Sequence, residues 1–213
     1  MKKFAGCLMM TLLLAATAYA EPVGRTQDGY IHRYTAQNGQ ELYYVSQVED
    51  PLVLMEDVNF DGVEDIVVPT VQGATNAYYE FFIWDGARYV LASLPTDEAG
   101  LPNYVLYPEK GLILATSNNG SAGLLHETTL YCWEGTTLLE VRRAVSEHPE
   151  GFSSEGEIIT QTTDMSKLKM TVTEPGEEGE AVVLWEETMD MQDAPENESA
   201  WLQQEEEVLW NGL

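Results

Sequence analysis

Basic residues are scarce in this chain. Ten Lys and Arg stand against 36 Asp and Glu, for a formal charge of −26 at pH 7. That deficit excludes nucleic acid as a partner, because neutralising phosphates takes clustered Lys and Arg, and beyond the first 20 residues only Arg142 and Arg143 are adjacent. It also disfavours an anionic membrane surface, while it steers cationic proteins and divalent metals towards the chain. Cysteine is nearly absent, with Cys7 and Cys132 alone. If Cys7 leaves with a leader, no intramolecular disulfide is possible, and stability must come from a packed core, a metal or both. Cys132, in TLYCWEG, reads as a buried strand thiol rather than a nucleophile. There are three histidines, His32, His126 and His148, and none forms a metal-ligand pair or neighbours a Ser or Cys nucleophile. Each reads as an ordinary surface or strand residue. A phosphate-binding glycine loop is missing too, and the carboxylates are too many to single out an acid and base pair, so no enzyme is expected.

A long apolar run occurs only at the start, MKKFAGCLMMTLLLAATAYA. Two lysines, an apolar stretch and Ala18-Tyr19-Ala20 in A-x-A order predict a signal peptide removed after Ala20, and hence a secreted or periplasmic protein. The run is shorter than the roughly 20 apolar residues that a membrane span needs. The expected organisation is a leader over 1–20 and a single β domain over 21–213, with a core at 41–145 and acidic strands at 146–213. At 44% apolar and 10% aromatic, the composition can fill such a core.

Helical periodicity is almost missing from that core, and short strands take its place. Segments 41–48, 51–58, 64–71, 77–85, 88–94, 111–117, 126–134 and 138–145 are rich in Val, Ile, Tyr, Phe, Trp and Thr. FFIWDGARYV and LYCWEGTTLL look alike, and each predicts a hairpin in which Gly86 or Gly135 takes a positive φ. Beyond Ser146 lie half of the acids and only Lys167 and Lys169 as bases, yet GEIITQTTD, KLKMTVTE and AVVLWEETMD still alternate as antiparallel strands do. The acidic runs Glu177-Glu178 and Glu205, Glu206 and Glu207 read as solvated surface. At the end, Trp201, Leu202, Val208 and Leu209 are at helical spacing, with Ser199 as a cap and Gly212 just past the stop. The expected fold is all-β, an antiparallel sandwich or a small propeller-like or barrel sheet, closed by one short helix or a last strand.

One stretch is too acidic for a plain turn. DVNFDGVED, 57–65, places Asp57, Asn59, Asp61 and Asp65 at positions 1, 3, 5 and 9, with Gly62 at position 6. That is the spacing of an EF-hand-type calcium loop, where alternate oxygens converge, glycine permits the sharp turn and the position-7 carbonyl, here Val63, points inward. All donors are hard oxygens and no His or Cys is near, which favours Ca2+. Position 12 is Val68 where an EF-hand has a bidentate Glu, and the flanks LVLME and IVVPT read as strands. A strand-loop-strand site of modest affinity and structural role is therefore expected, with an ordinary Asn-x-Asp-Gly hairpin turn as the alternative.

DVNFDGVEDIVVPT, followed by NAYYEFFIWDGARYV and HETTLYCWEG, resembles a family of small secreted bacterial β-proteins with a single D-x-N-x-D-G-x-x-D loop. Members are related to a periplasmic immunity protein against a lysozyme-like toxin, and are similar in structure to periplasmic lysozyme inhibitors. The resemblance covers 52–143, and it implies a β fold and a metal more firmly than an inhibitor. It also directs attention to a loop able to enter a cleft. TSNNGSAGLLH, 116–126, fits that role, with Asn118, Asn119 and Ser121 as its polar tip. The partner would be a cationic protein such as a lysozyme-like hydrolase, or a cell-wall component; the alternative is a structural or cell-surface binding module whose calcium only rigidifies a sheet.

Overall fold

The computed structural model describes residues 18–95, 100–120, 124–155, 158–177 and 179–213. After a two-residue strand β1 (Ala18–Tyr19), β2 (Glu21–Arg25), β3 (Tyr30–Thr35) and β4 (Glu41–Ser46) form a three-stranded sheet. Next, β5 (Leu52–Glu56), β6 (Asp65–Gln72), β7 (Ala77–Trp84), β8 (Tyr89–Leu91) and β9 (Leu101–Pro102) build a second sheet, whose edge β1 joins through β5. A third sheet has the order β10 (Val105–Tyr107), β11 (Leu112–Gly120), β12 (Leu125–Glu134), β13 (Thr137–Glu147), then β16 (Lys167–Pro175) and β17 (Ala181–Asp190). Between the last two pairs comes a separate hairpin, β14 (Glu150–Glu155) and β15 (Ile158–Thr163), and the chain ends in α1 (Ala194–Trp210). Every ladder is antiparallel and neither six-stranded sheet closes on itself. The all-β fold with one short C-terminal helix is thus present, and its open sheets form a sandwich rather than a barrel.

Burial stacks these sheets in layers. β6, DIVVPTVQ, is apolar on both faces because it is covered on both. On one side Ile66 and Val68, with Val53, Met55 and Phe82, meet Tyr34, Leu42 and Tyr44 of the N-terminal sheet. On the other, Val67, Phe81, Ile83 and Leu101 pack against Ile113, Ala115, Tyr131 and Leu138 of the third sheet. Beyond that sheet, Leu130, Ala144 and Val172 are covered by Leu209 of α1. Pro69 sits at a register shift in the β6–β7 ladder, where a missing N–H is tolerated. Both look-alike hairpins form, with Gly86 at φ 95° and Gly135 at φ 61°. They also meet: Ser93, just past β8, bridges Thr137 and joins the two large sheets at their turns.

The differences from expectation have local causes. β2 and β3 fall where no strand is predicted, since in YIHRYT it is His32 and Tyr34 that turn inward, so polarity alone misreads the period. β11 runs to Gly120 and β12 starts at Leu125, which makes the expected loop at 116–126 mostly strand. The helix begins at Ala194 behind Asp193, with a proline in its first turn, so Ser199 lies inside it and does not cap it. Cys132 is in a strand but only half-buried. On the leader side of the expected cleavage point, Ala18 and Tyr19 pair with Val53 and Leu52, and Ala20 is buried; residues 1–17 lie outside the described ones. Among the described residues no helix is long and apolar enough to cross a membrane.

Candidate functional site

Glu56 of β5 pairs with Asp65 of β6, so residues 57–64 are the connection between two adjacent strands, as the flanks predicted. The loop closes on its own side chains. Asp57 accepts the Asp61 N–H at Oδ1 (3.0 Å) and the Gly62 N–H at Oδ2 (2.9 Å). Asn59 Oδ1 accepts the Asp61 N–H at 3.2 Å, and Asp61 Oδ1 accepts the Val63 N–H at 2.8 Å. Turning this tightly takes two left-handed residues, Phe60 at φ 63° and Gly62 at φ 87°. A Cβ at Gly62 would meet nothing within 4 Å, so glycine is there for its backbone freedom alone. Phe60 was not foreseen as left-handed; its ring is held by the sandwich core.

Asp65 differs from the other three. It is wholly buried, its Oδ2 accepting the Val58 N–H at 3.2 Å and its Oδ1 the Trp84 N–H at 2.8 Å. Burial pushes its carboxyl up to about 6, against the pull of those amides and with a further push from the charge of Asp61. The third sheet reaches the same place, since Trp133 Nε1 donates to the Val58 carbonyl at 2.7 Å and Tyr104 donates to Glu56 at 2.7 Å. Val63 presents an exposed side chain at the rim.

Could this loop hold calcium? The donor chemistry fits: Asp57, Asn59 and Asp61 put only oxygens and one amide nitrogen on one turn, and the Asn59 amide, whose Nδ2 now faces Asp61 Oδ2 at 2.9 Å, presents oxygen after a half-turn about χ2. A buried carboxylate beneath them gains most from a nearby cation. Among the described residues, however, no three His, Cys, Asp or Glu side chains converge into a metal-binding group. The expected set contains only three acids, and Asp65 turns both oxygens to backbone amides.

The expected partner hairpin divides. Asn119 is exposed and takes a 3.1 Å bond from Ser117, and Ser121 lies outside the described residues. Asn118 is instead tied to the second sheet: its N–H donates to Asn76 Oδ1 (2.8 Å) and its carbonyl accepts from Asn76 Nδ2 (3.0 Å). Asn103, at φ 36°, completes the pin by donating to Thr116 O (2.8 Å) and Asn76 Oδ1 (3.0 Å) and accepting the Ala77 N–H (2.9 Å). Neither Asn76 nor Asn103 carries a sequence signal beyond its place in a turn. Two of the three histidines are interior rather than superficial: His32 stacks on Tyr44 at 5.4 Å, and His126 Nε2 meets Glu205 Oε2 at 2.8 Å. Glu205, expected as solvated, is instead a buried residue of α1, facing His126 of β12.

No known family matches the chain, and no curated protein matches it. A solved structure described as "Structure of a Xanthomonas Type IV Secretion System related protein" is similar at 15% identity and a TM-score of 0.47, over 81% of this chain and 92% of that one. A likeness of that degree carries no functional argument.

Proposed function

We propose that the protein is secreted or periplasmic, binds one calcium in the 57–65 loop, and acts by binding a cationic protein, with a lysozyme-like wall hydrolase as the partner it inhibits. The observation that carries the calcium reading is the loop itself, in which Asp57, Asn59 and Asp61 fold over two left-handed residues above a buried Asp65. Calcium would neutralise charge where four acids crowd nine residues, and would link β5 to β6 at the seam that Trp133 and Tyr104 reach from the third sheet. The leader supports export and the −26 charge supports a cationic partner.

A second reading is favoured by one observation: the Asn118 main chain is pinned to Asn76 and its side chain donates to the Thr75 carbonyl at 3.5 Å, which leaves Asn119 as the exposed polar side chain of the expected tip among the described residues. In that case the protein is a binding module for cell-wall material, and calcium only stiffens it. Turbidity clearance of cell walls by a cationic lysozyme decides between them. Inhibition that weakens steeply with added salt supports the first reading; unimpaired lysis together with sedimentation of the protein on walls lacking any enzyme supports the second.

A further inference from the structure

Sheet edges among the described residues are mostly short. The second sheet ends in β1 and β8, of two and three residues, and the third sheet begins with β10, of three. β2 has five residues, Pro22 and a register shift. The β14–β15 hairpin offers six on each side. β17 breaks the pattern. It is ten residues long, contains neither proline nor glycine, and has β16 as its sole ladder partner among the described residues. All but Trp185 and Met189 are exposed, including Val182 at 40%, Val183 at 55% and Leu184 at 38%.

A long open edge is a row of unpaired N–H and C=O groups, and proteins normally blunt it because any other strand can add there. Here the blunting is electrostatic and has one sign. Glu186, Glu187 and Asp190 occupy the second half of the strand; Lys169 holds Glu186 at 2.8 Å, and no ion pair among the described residues holds Glu187 or Asp190. A second copy brings the same acids and another net −26, so self-pairing is opposed. A basic strand meets no such barrier. The geometry points to β17 as a strand-addition site for another protein: an extended segment with apolar side chains opposite Val182, Val183 and Leu184 and Lys or Arg opposite Glu187 and Asp190. In this mode the main chain supplies the binding energy and the side chains on alternate positions supply the selection. The site is in a different sheet from the 57–65 loop, so it does not depend on calcium.

The probe is a capped nonapeptide, Lys-Thr-Thr-Lys-Thr-Thr-Val-Val-Val, which run antiparallel sets its lysines opposite Asp190 and Glu187 and its valines opposite Leu184, Val183 and Val182, added to the full secreted chain, with amide hydrogen exchange as the readout. Alternate amides of β17, the outward ones, should slow at least tenfold with saturating peptide. A version with Glu for each basic residue should give no protection. Val183→Lys with Glu187→Lys, both exposed changes that leave the β16 ladder in place, should weaken binding at least tenfold while the exchange of the core stays unchanged. Three results would overturn the proposal: no slowing of β17 at millimolar peptide, slowing that survives the double substitution, or slowing that appears without peptide as protein concentration rises, which would make a second copy the occupant.

Discussion

At the residue scale, two side chains with no place in the calcium argument govern the fold. Asn103 satisfies a backbone donor of β7 and a backbone acceptor of β11 from a left-handed position. Asn103→Ala leaves both unpaired and places a Cβ residue without a compensating bond at φ 36°, so it should cost about 2–3 kcal/mol in urea unfolding. Hydrogen exchange at 116–118 should quicken with it. His32 is buried with Nε2 on the Val48 carbonyl, and burial lowers its pKa against the upward pull of that bond and of Asp50. The folded state therefore resists protonation that the unfolded chain accepts near pH 6.5. Stability from this source is intact above that pH and declines as pH falls below it, by no more than about 1.4 kcal/mol per unit. Urea midpoints at pH 7 and pH 5 should differ less in His32→Gln than in the wild type. The 57–65 turn was legible as a strand connection because its Asp and Asn spacing and Gly62 are written directly in the sequence. Asn76, Asn103 and Phe60 were not, because what singles them out is a backbone angle or a contact 13 to 42 residues away.

At the scale of elements, β4 to β8 and β11 to β13 were legible since alternation and turn residues coincide, as at Gly86 and Gly135, while the two- and three-residue strands β9 and β10 are too short to show a period. β3 was not, because its inward side chains include a histidine. The helix was found but begun too late, its first turn carrying no apolar periodicity to announce it. Its docking is held by three things: Leu209 in the cluster of Leu130, Ala144 and Val172, the His126–Glu205 pair, and Arg142, whose Nη1 donates to the carbonyls of Val208, Leu209 and Asn211. That last contact matters because the final turn of α1 contains no basic residue of its own to meet the free carbonyls. Leu209→Ala should cost about 2–4 kcal/mol and should open α1 to exchange before the sandwich unfolds.

At the scale of the whole molecule, an acidic chain with no disulfide among its described residues is held by layers that share β6, and the 57–65 loop opens directly into that strand. The class of fold was readable from composition and strand spacing; the choice of sandwich was not, since an open and a closed sheet share the same alternation. In the proposed function that loop is a cation site joined to folding. The most direct measurement is thermal unfolding of the chain from Glu21 in EDTA and in millimolar calcium, beside an Asp57→Ala, Asp61→Ala double variant. A ligand bound only by the native state at about 100 times its Kd adds about 2.7 kcal/mol, so the wild type should gain about 5–10 °C in Tm with calcium and the double variant none. Equal melting of the wild type in EDTA and in calcium would contradict the account, and would leave DVNFDGVED as an acidic turn.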